Sequence, residues 1–368
     1  MSKKNKKPWL FIVGFILLAV VIVRVSITGY RTIPFFWQLF FNHNIDLKQK
    51  DSQINVLLLG IGGGKHDGPN LTDTIIFASI NPKTNNVTLV SLPRDLWIPD
   101  TKSKINVAYA EGEAKRKGGG LVLAEAIISK ILGKDVDYSL RINFDGFIRA
   151  VDLVGGINID VERTFDDYEY PIDGKENELC GHDPAELNKL ATASSQLEAF
   201  PCRYEHLHFD KREQLMNGNK ALEYVRSRHA KGAEGSDFAR SRRQEKVIKA
   251  FKDKIFSLQF IANPGKLFNL YDIVRESIDT NIRDTELDDF VRLLEKMKNA
   301  KIQNAVIDVG DVAGKREGLL INPEISSEYN YQWILTPRLG NGNFWEIQQY
   351  VNCMIKTGNC TISKIAKE

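Results

Sequence analysis

The residues from Ala221 to Gln244 read ALEYVRSRHAKGAEGSDFARSRRQ. They gather Arg226, Arg228, Arg240, Arg242 and Arg243, with one acid, Asp237, beside the last three. Guanidinium groups stay charged and present forked donors that match phosphate oxygens. Several of them beside one carboxylate describe a pocket for a multiply charged phosphate. In such a pocket the carboxylate acts as a base or holds a metal.

Position along the chain adds to composition. Asp237, Arg240 and Gln244 are spaced i, i+3, i+7 and share one face if the segment is helical. The helix should start at Ser236 or Asp237, where backbone N–H groups and the helix dipole favour an anion. Arg226 and Arg228 point the same way if their segment is extended. The bland alternative is a solvated basic helix carrying surface ion pairs, the commoner fate of such charges.

The elements around these residues alternate. Ile54 to Leu59 is an unbroken apolar run and reads as a buried strand. Thr74 to Ile80 and Val87 to Leu92 read as two further strands joined by the NPKTNN turn. The second of these delivers Pro93, Arg94 and Asp95 at its end. Leu121 to Leu132 has helical spacing and stops at Gly133. Tyr138 to Phe144 alternates as a strand, Phe147 to Leu153 as a helix, and Ile157 to Val161 as a strand. Val247, Ile248, Phe251 and Ile255 form one apolar helical stripe, and Leu287 to Met297 another. Ala305 to Val309 reads as a late strand, and NFWEIQQYV begins a final helix. The alternation indicates an α/β fold, a layered α-β-α sandwich around a mixed central sheet. Phe165 to Lys211 breaks the pattern and reads as a polar surface excursion.

The chain has 368 residues with 43% apolar and 26% charged content, enough for one large globular domain. A net charge of +3 gives no case for nucleic acid. At the N-terminus, Lys3, Lys4, Lys6 and Lys7 precede the apolar run Leu10 to Val23. Trp9 to Ile27, with Arg24 snorkelling, spans the ~30 Å hydrocarbon layer as an uncleaved helix. The basic flank stays inside, so the rest lies outside the cell membrane. Phe35, Phe36, Trp37, Phe40 and Phe41 sit in the outer headgroup zone or form a short helix on the soluble part. Cys180 and Cys202, and Cys353 and Cys360, form two local pairs. Disulfides suit an external location. Zinc remains open at the first pair, beside His182, His206 and His208, although the spacing matches no standard finger.

Gly60-Ile61-Gly62-Gly63-Gly64-Lys65 invites a nucleotide reading and fails it. A Walker loop needs four residues between its glycines and Ser or Thr after the lysine. A dinucleotide fingerprint needs a helix next, and a strand follows here.

The ordered segments NVLLLG, TDTIIFASINPKTNNVTLVSLPRD, KINVAYAEG, INFDGF, LVGGINIDV, NGNKALEYVRSRH and SDFARSRRQ resemble the LytR-CpsA-Psr (LCP) family over about Asn55 to Ile255. The resemblance implies transfer of a glycopolymer from a polyprenyl-pyrophosphate carrier to peptidoglycan, with a phosphodiester formed and polyprenyl phosphate leaving. It implies that Arg94, Arg226, Arg228, Arg240 and Gln244 hold the pyrophosphate. Asp73 would bind magnesium, Asp237 would be the base or an orienting acid, and Lys104 and Asn106 would position. The family's acid two residues after the LLLG glycine is Gly62 here, and Asp67 is the tentative replacement metal ligand. Its lipid tunnel would draw on Phe144, Phe147, Val247, Ile248 or Phe251, residues that equally suit a plain core. The implied layout is a cytoplasmic tail 1–8, an anchor 9–27, a juxtamembrane linker 28–53, a catalytic domain 54–310 with an insertion 165–211, and a C-terminal extension 311–368 packed on the domain. Two other readings stand beside transfer: a non-catalytic binder of polyprenyl phosphates that regulates the envelope, and a lipid pyrophosphatase.

Overall fold

A computed structural model describes residues 44–362 apart from 65, 67, 185–194, 258–262 and 312–315. The expected anchor and the aromatic cluster after it lie outside the described residues. No helix among the described residues is long and apolar enough to cross a membrane.

The chain forms two compact units. In the larger, residues 48–281 and 297–368, strands β1 (Ile54–Ile61), β2 (Thr72–Asn81) and β3 (Asn86–Leu92) make an antiparallel meander. Helices α1 (Ala108–Lys115) and α2 (Gly119–Leu132) lead to β4 (Tyr138–Asn143), which pairs parallel to β1. Then come α3 (Phe144–Leu153), β5 (Ile157–Asp160), β6 (Phe165–Pro171), β7 (Tyr204–Phe209), β8 (Glu213–Met216), α4 (Gly218–Arg226), α5 (Asp237–Ile255), α6 (Pro264–Ser277) and β9 (Ile278–Thr280). The smaller unit, residues 44–47 and 282–296 where described, holds α7 (Leu287–Lys296). The larger unit resumes with β10 (Lys301–Val306) and ends with α8 (Trp345–Thr357). The central sheet runs β9-β4-β1-β2-β3-β10 and is mixed.

The sheet is covered on both faces, which is why β1 is apolar at nearly every position. Leu57, Leu59, Phe77, Val90 and Leu92 share one core with Ile128 and Ile131 of α2 and Ile347 and Val351 of α8. Leu319, Leu320 and Leu335 complete it, so residues of the C-terminal segment belong to the main core. The intervening residue Ser91 points the other way, its hydroxyl 2.8 Å from that of Ser241 on α5. Helix α5 therefore covers the second face. The last sheet strand starts at Lys301, earlier than its apolar end suggests. Helices α1 and α6 were not legible in the sequence as read.

The segment from Phe165 to Lys211 is not wholly a surface excursion. Its ends, β6 and β7, pair antiparallel and bury Phe165, Asp167, Leu207 and Phe209. Phe165, Leu207 and Phe209 join Val151, Ile157, Ile159, Tyr224 and Val247 in a second core. An acid at an inward position hid this alternation. Between the strands Cys180 is bonded to Cys202, and near the C-terminus Cys353 is bonded to Cys360. Both thiols of the first pair are thereby consumed, which removes them as zinc ligands.

Candidate active site

Four elements end at one place. The start of β2 brings Asp73 and Thr74, and the turn after β3 brings Arg94. The last residue of α4 is Arg226, and Arg228 follows in the loop beyond it. The first turns of α5 bring Asp237, Arg240 and Gln244. Ser236 caps that helix by accepting a hydrogen bond from the Ala239 N–H at 3.2 Å. Asp73, Thr74, Arg94, Arg226, Arg228 and Arg240 line a cleft of about 100 Å³, with Asp167, Glu169 and Tyr170 on its other wall.

Arg94 donates to Asp73 at 2.6 Å. Arg228 donates to the Asp73 backbone carbonyl at 2.9 Å, and the nearer Asp73 carboxylate oxygen is 4.0 Å away. Gln244 Nε2 lies 3.5 Å from the Thr74 hydroxyl. Burial alone would raise the Asp73 carboxyl, but Arg94, Arg228 and Arg226 together hold it below its ordinary value. Burial, then repulsion from Arg240 and Arg94, pushes the Arg228 guanidinium down to about 9. An arginine stays protonated in a protein. Burial is the main cause and repulsion between neighbouring guanidinium groups adds to it; what favours a polyanion is that Arg94, Arg226, Arg228 and Arg240 line one cleft.

Arg226 lies over the Phe144 ring at 4.2 Å and donates to the Tyr170 hydroxyl oxygen at 3.1 Å. It also reaches His66 Nε2 at 3.2 Å and Asp173 at 3.4 Å. A second cavity of about 400 Å³ shares Tyr170, Pro171 and Arg226 with the cleft and runs past Gly62, His66 and Phe144. A side chain on Gly62 would meet the His66 ring at 2.6 Å. The His66 ring thus occupies the space beside Gly62, and His66 lines the second cavity.

The sequence-predicted residues divide. Asp73, Arg94, Arg226, Arg228 and Arg240 meet in the cleft, and Gln244 touches its edge through Thr74. Asp237 is not among the lining residues and reaches the cleft through Arg240, 2.9 Å away. Lys104 and Asn106 stand behind Arg94. Lys104 pairs with Asp95 at 2.8 Å, and the Asn106 N–H donates to the Arg94 carbonyl at 3.2 Å. Arg242 turns to Glu162 and Glu234. Arg243, 2% exposed, donates to the carbonyls of Tyr224, Ser227 and Glu234, so neither arginine joins the cleft. Asp67 lies outside the described residues. Phe147, Val247 and Phe251 pack in the second core, and Phe144 lines the larger cavity.

Sequence reasoning missed Asp167 and Tyr170. The buried Asp167 carboxylate accepts from the Ser227 hydroxyl at 2.7 Å and from the N–H groups of Arg228 and His229 at 3.0 and 3.2 Å. It holds the loop that presents Arg228. The signal was FDDYEY, a strand-like run inside a segment read as irregular.

Comparison with known proteins shows the family and the fold. The family model described as LytR_cpsA_psr matches residues 38–327. Polyisoprenyl-teichoic acid–peptidoglycan teichoic acid transferase TagV of Bacillus subtilis is 29% identical over 67% of this chain and 53% of its own length. The protein of the same name designated TagU, also from Bacillus subtilis, is 27% identical over 65% of this chain and 62% of its own. This chain therefore spans roughly half to three-fifths of those relatives. The crystal structure of B. subtilis TagV superposes with a TM-score of 0.52 at 22% identity, over 84% of this chain and 99% of that one, and shares the fold.

Proposed function

We propose that this chain, which belongs to the LytR_cpsA_psr family, transfers a glycopolymer from a polyprenyl-pyrophosphate carrier to peptidoglycan. The observation that carries the reading is the Arg228 guanidinium, half-buried and pressed by Arg240 and Arg94, with the Asp73 carboxylate 4.0 Å away. A diphosphate supplies the missing negative charge.

In this reading Arg94, Arg226, Arg228 and Arg240 hold the diphosphate. A peptidoglycan hydroxyl attacks the phosphorus that carries the polymer. The phosphodiester forms, the phosphoanhydride bond breaks, and polyprenyl phosphate departs with the bridging oxygen. The hydroxyl proton passes to solvent, and Asp237, outside the cleft lining, acts as the orienting acid that holds Arg240 through their 2.9 Å pair. Phosphoryl transfer depends on positioning and charge neutralisation, which fixed guanidinium groups supply. Lys104 and Asn106 position Arg94 from behind. Of the two carboxylates expected to hold magnesium, Asp73 is the one among the described residues. Magnesium accepts few protein ligands when phosphate oxygens and water complete its shell, so Asp73 is a sufficient anchor. When bound, the ion would offset charge on the departing phosphate. Residues 9–27 anchor the chain with its bulk outside the membrane, a location that two disulfides support.

Full-length protein in detergent, supplied with lipid-linked polymer and peptidoglycan, separates the readings. Covalently attached polymer, lost in Arg228→Ala, is the expected result. Lipid bound but unchanged would mark a regulator, and phosphate release without attachment a pyrophosphatase.

A further inference from the structure

Strand β7 carries His206 and His208 two residues apart, hence on one face of the hairpin, and the register sets Asp166 of β6 opposite His208. Both imidazoles converge on one carboxylate oxygen. His206 Nε2 and His208 Nδ1 each lie 2.7 Å from Asp166 Oδ1. The other nitrogen of His208 is 3.1 Å from Asp210. In the ion-free protein both ring nitrogens of His208 face carboxylates; on metal binding the Asp210 contact would keep the Nε2 proton and leave Nδ1 to ligate, the carboxylate–histidine support found behind metal-bound imidazoles. The His206 ring is held by stacking on Tyr168, with centroids 4.1 Å apart and planes 2° from parallel.

We propose that Asp166, His206 and His208 form a site for a borderline divalent cation of the zinc type, with water in the fourth position. Two nitrogens and one carboxylate select zinc, nickel or copper over magnesium. Ligand bonds of about 2.0–2.2 Å in a tetrahedron separate the donor atoms by about 3.3 Å, so the present 2.7 Å contacts open by roughly half an ångström. The disulfide Cys180–Cys202 closes the segment between the two strands, so the ligands sit on a tethered hairpin.

The consequence lies one residue away. Asp166 faces outward while its neighbour Asp167 faces inward and holds the Arg228 loop. A cation bridging β6 to β7 clamps the strand on which that loop depends. It acts as a staple and takes no part in the chemistry of the cleft.

The test is zinc titration of the untagged, chelator-stripped full-length protein by calorimetry, with cobalt as a visible-absorption probe of tetrahedral coordination. Wild type takes up one equivalent that millimolar magnesium does not displace. His206→Ala and His208→Gln each weaken uptake by more than about a hundredfold, and Asp210→Asn by about tenfold, the range for a supporting carboxylate. Melting temperatures measured in chelator confirm that these exposed substitutions leave the fold intact. Absence of saturable uptake would overturn the proposal, as would uptake unchanged in the variant that combines His206→Ala with His208→Gln. So would uptake lost only in His66→Ala, which would place the metal at the other carboxylate–imidazole group, His66, Asp173 and Glu176.

Discussion

Helix α5 carries arginines to two regions that treat the same side chain in opposite ways. In the socket around Arg243, three backbone carbonyls and Glu234 satisfy a guanidinium removed from water. In the cleft three residues earlier, Arg240 and Arg94 pair with Asp237 and Asp73, while the Arg228 guanidinium between them donates to a backbone carbonyl and stands 4.0 Å from the Asp73 carboxylate. The first region is a structural solution to a buried charge, and the second leaves positive potential standing. What distinguishes a binding site is the deficit of anionic partners, not the number of arginines.

The sharpest way to break this contrast is to truncate one arginine from each region. Arg228→Ala should lower transfer by about a thousandfold, the scale on which an arginine supports phosphoryl transfer. Its melting temperature should hold or rise, because a poorly paired, half-buried cation is removed. Arg243→Ala should cost about 3–5 kcal/mol in denaturant unfolding, since it strands Glu234 and three carbonyls. Asp167→Ala links the two regions, because it orphans the Ser227 hydroxyl and two N–H groups. A loss of about 3 kcal/mol in stability is expected, at 1–3 kcal/mol for each buried group left unpaired. Transfer should fall with it as the Arg228 loop loosens.

A smaller effect concerns pH. Asp73 has its folded value below its ordinary 3.8. Its contribution is therefore complete above about pH 4 and is lost as the pH falls through the lower folded value. The stability difference between wild type and Asp73→Asn should be flat at neutral pH and shrink in acid. An unfolding series that showed the difference growing in acid would reverse the sign of the Asp73–Arg94 coupling. The least change is expected for Gln244→Ala. Its 3.5 Å contact with Thr74 is at the limit of a hydrogen bond, and transfer should fall about twofold, equivalent to ~0.5 kcal/mol.

The meander of β1, β2 and β3 was legible because a sheet covered on both faces demands continuous apolar runs, as in INVLLLGI. The Asp237, Arg240 and Gln244 face was legible from helical spacing and a serine cap. Arg242 and Arg243 were misplaced because adjacent helix positions diverge by about 100°, and the sequence does not show which one meets an inward carbonyl cluster. Asp167 was hidden because an acid at a buried strand position is indistinguishable, by pattern, from a break in the strand. Only the folded course of the glycine loop brings the His66 ring over Gly62 and beside Arg226.

Inorganic pyrophosphate titrated into the full-length protein while the melting temperature is followed tests the central claim most directly. The account predicts a rise in wild type, worth about 2.7 kcal/mol at a hundredfold excess over the dissociation constant, and no rise in Arg228→Ala. An equal rise in both proteins, or none in wild type, would contradict it.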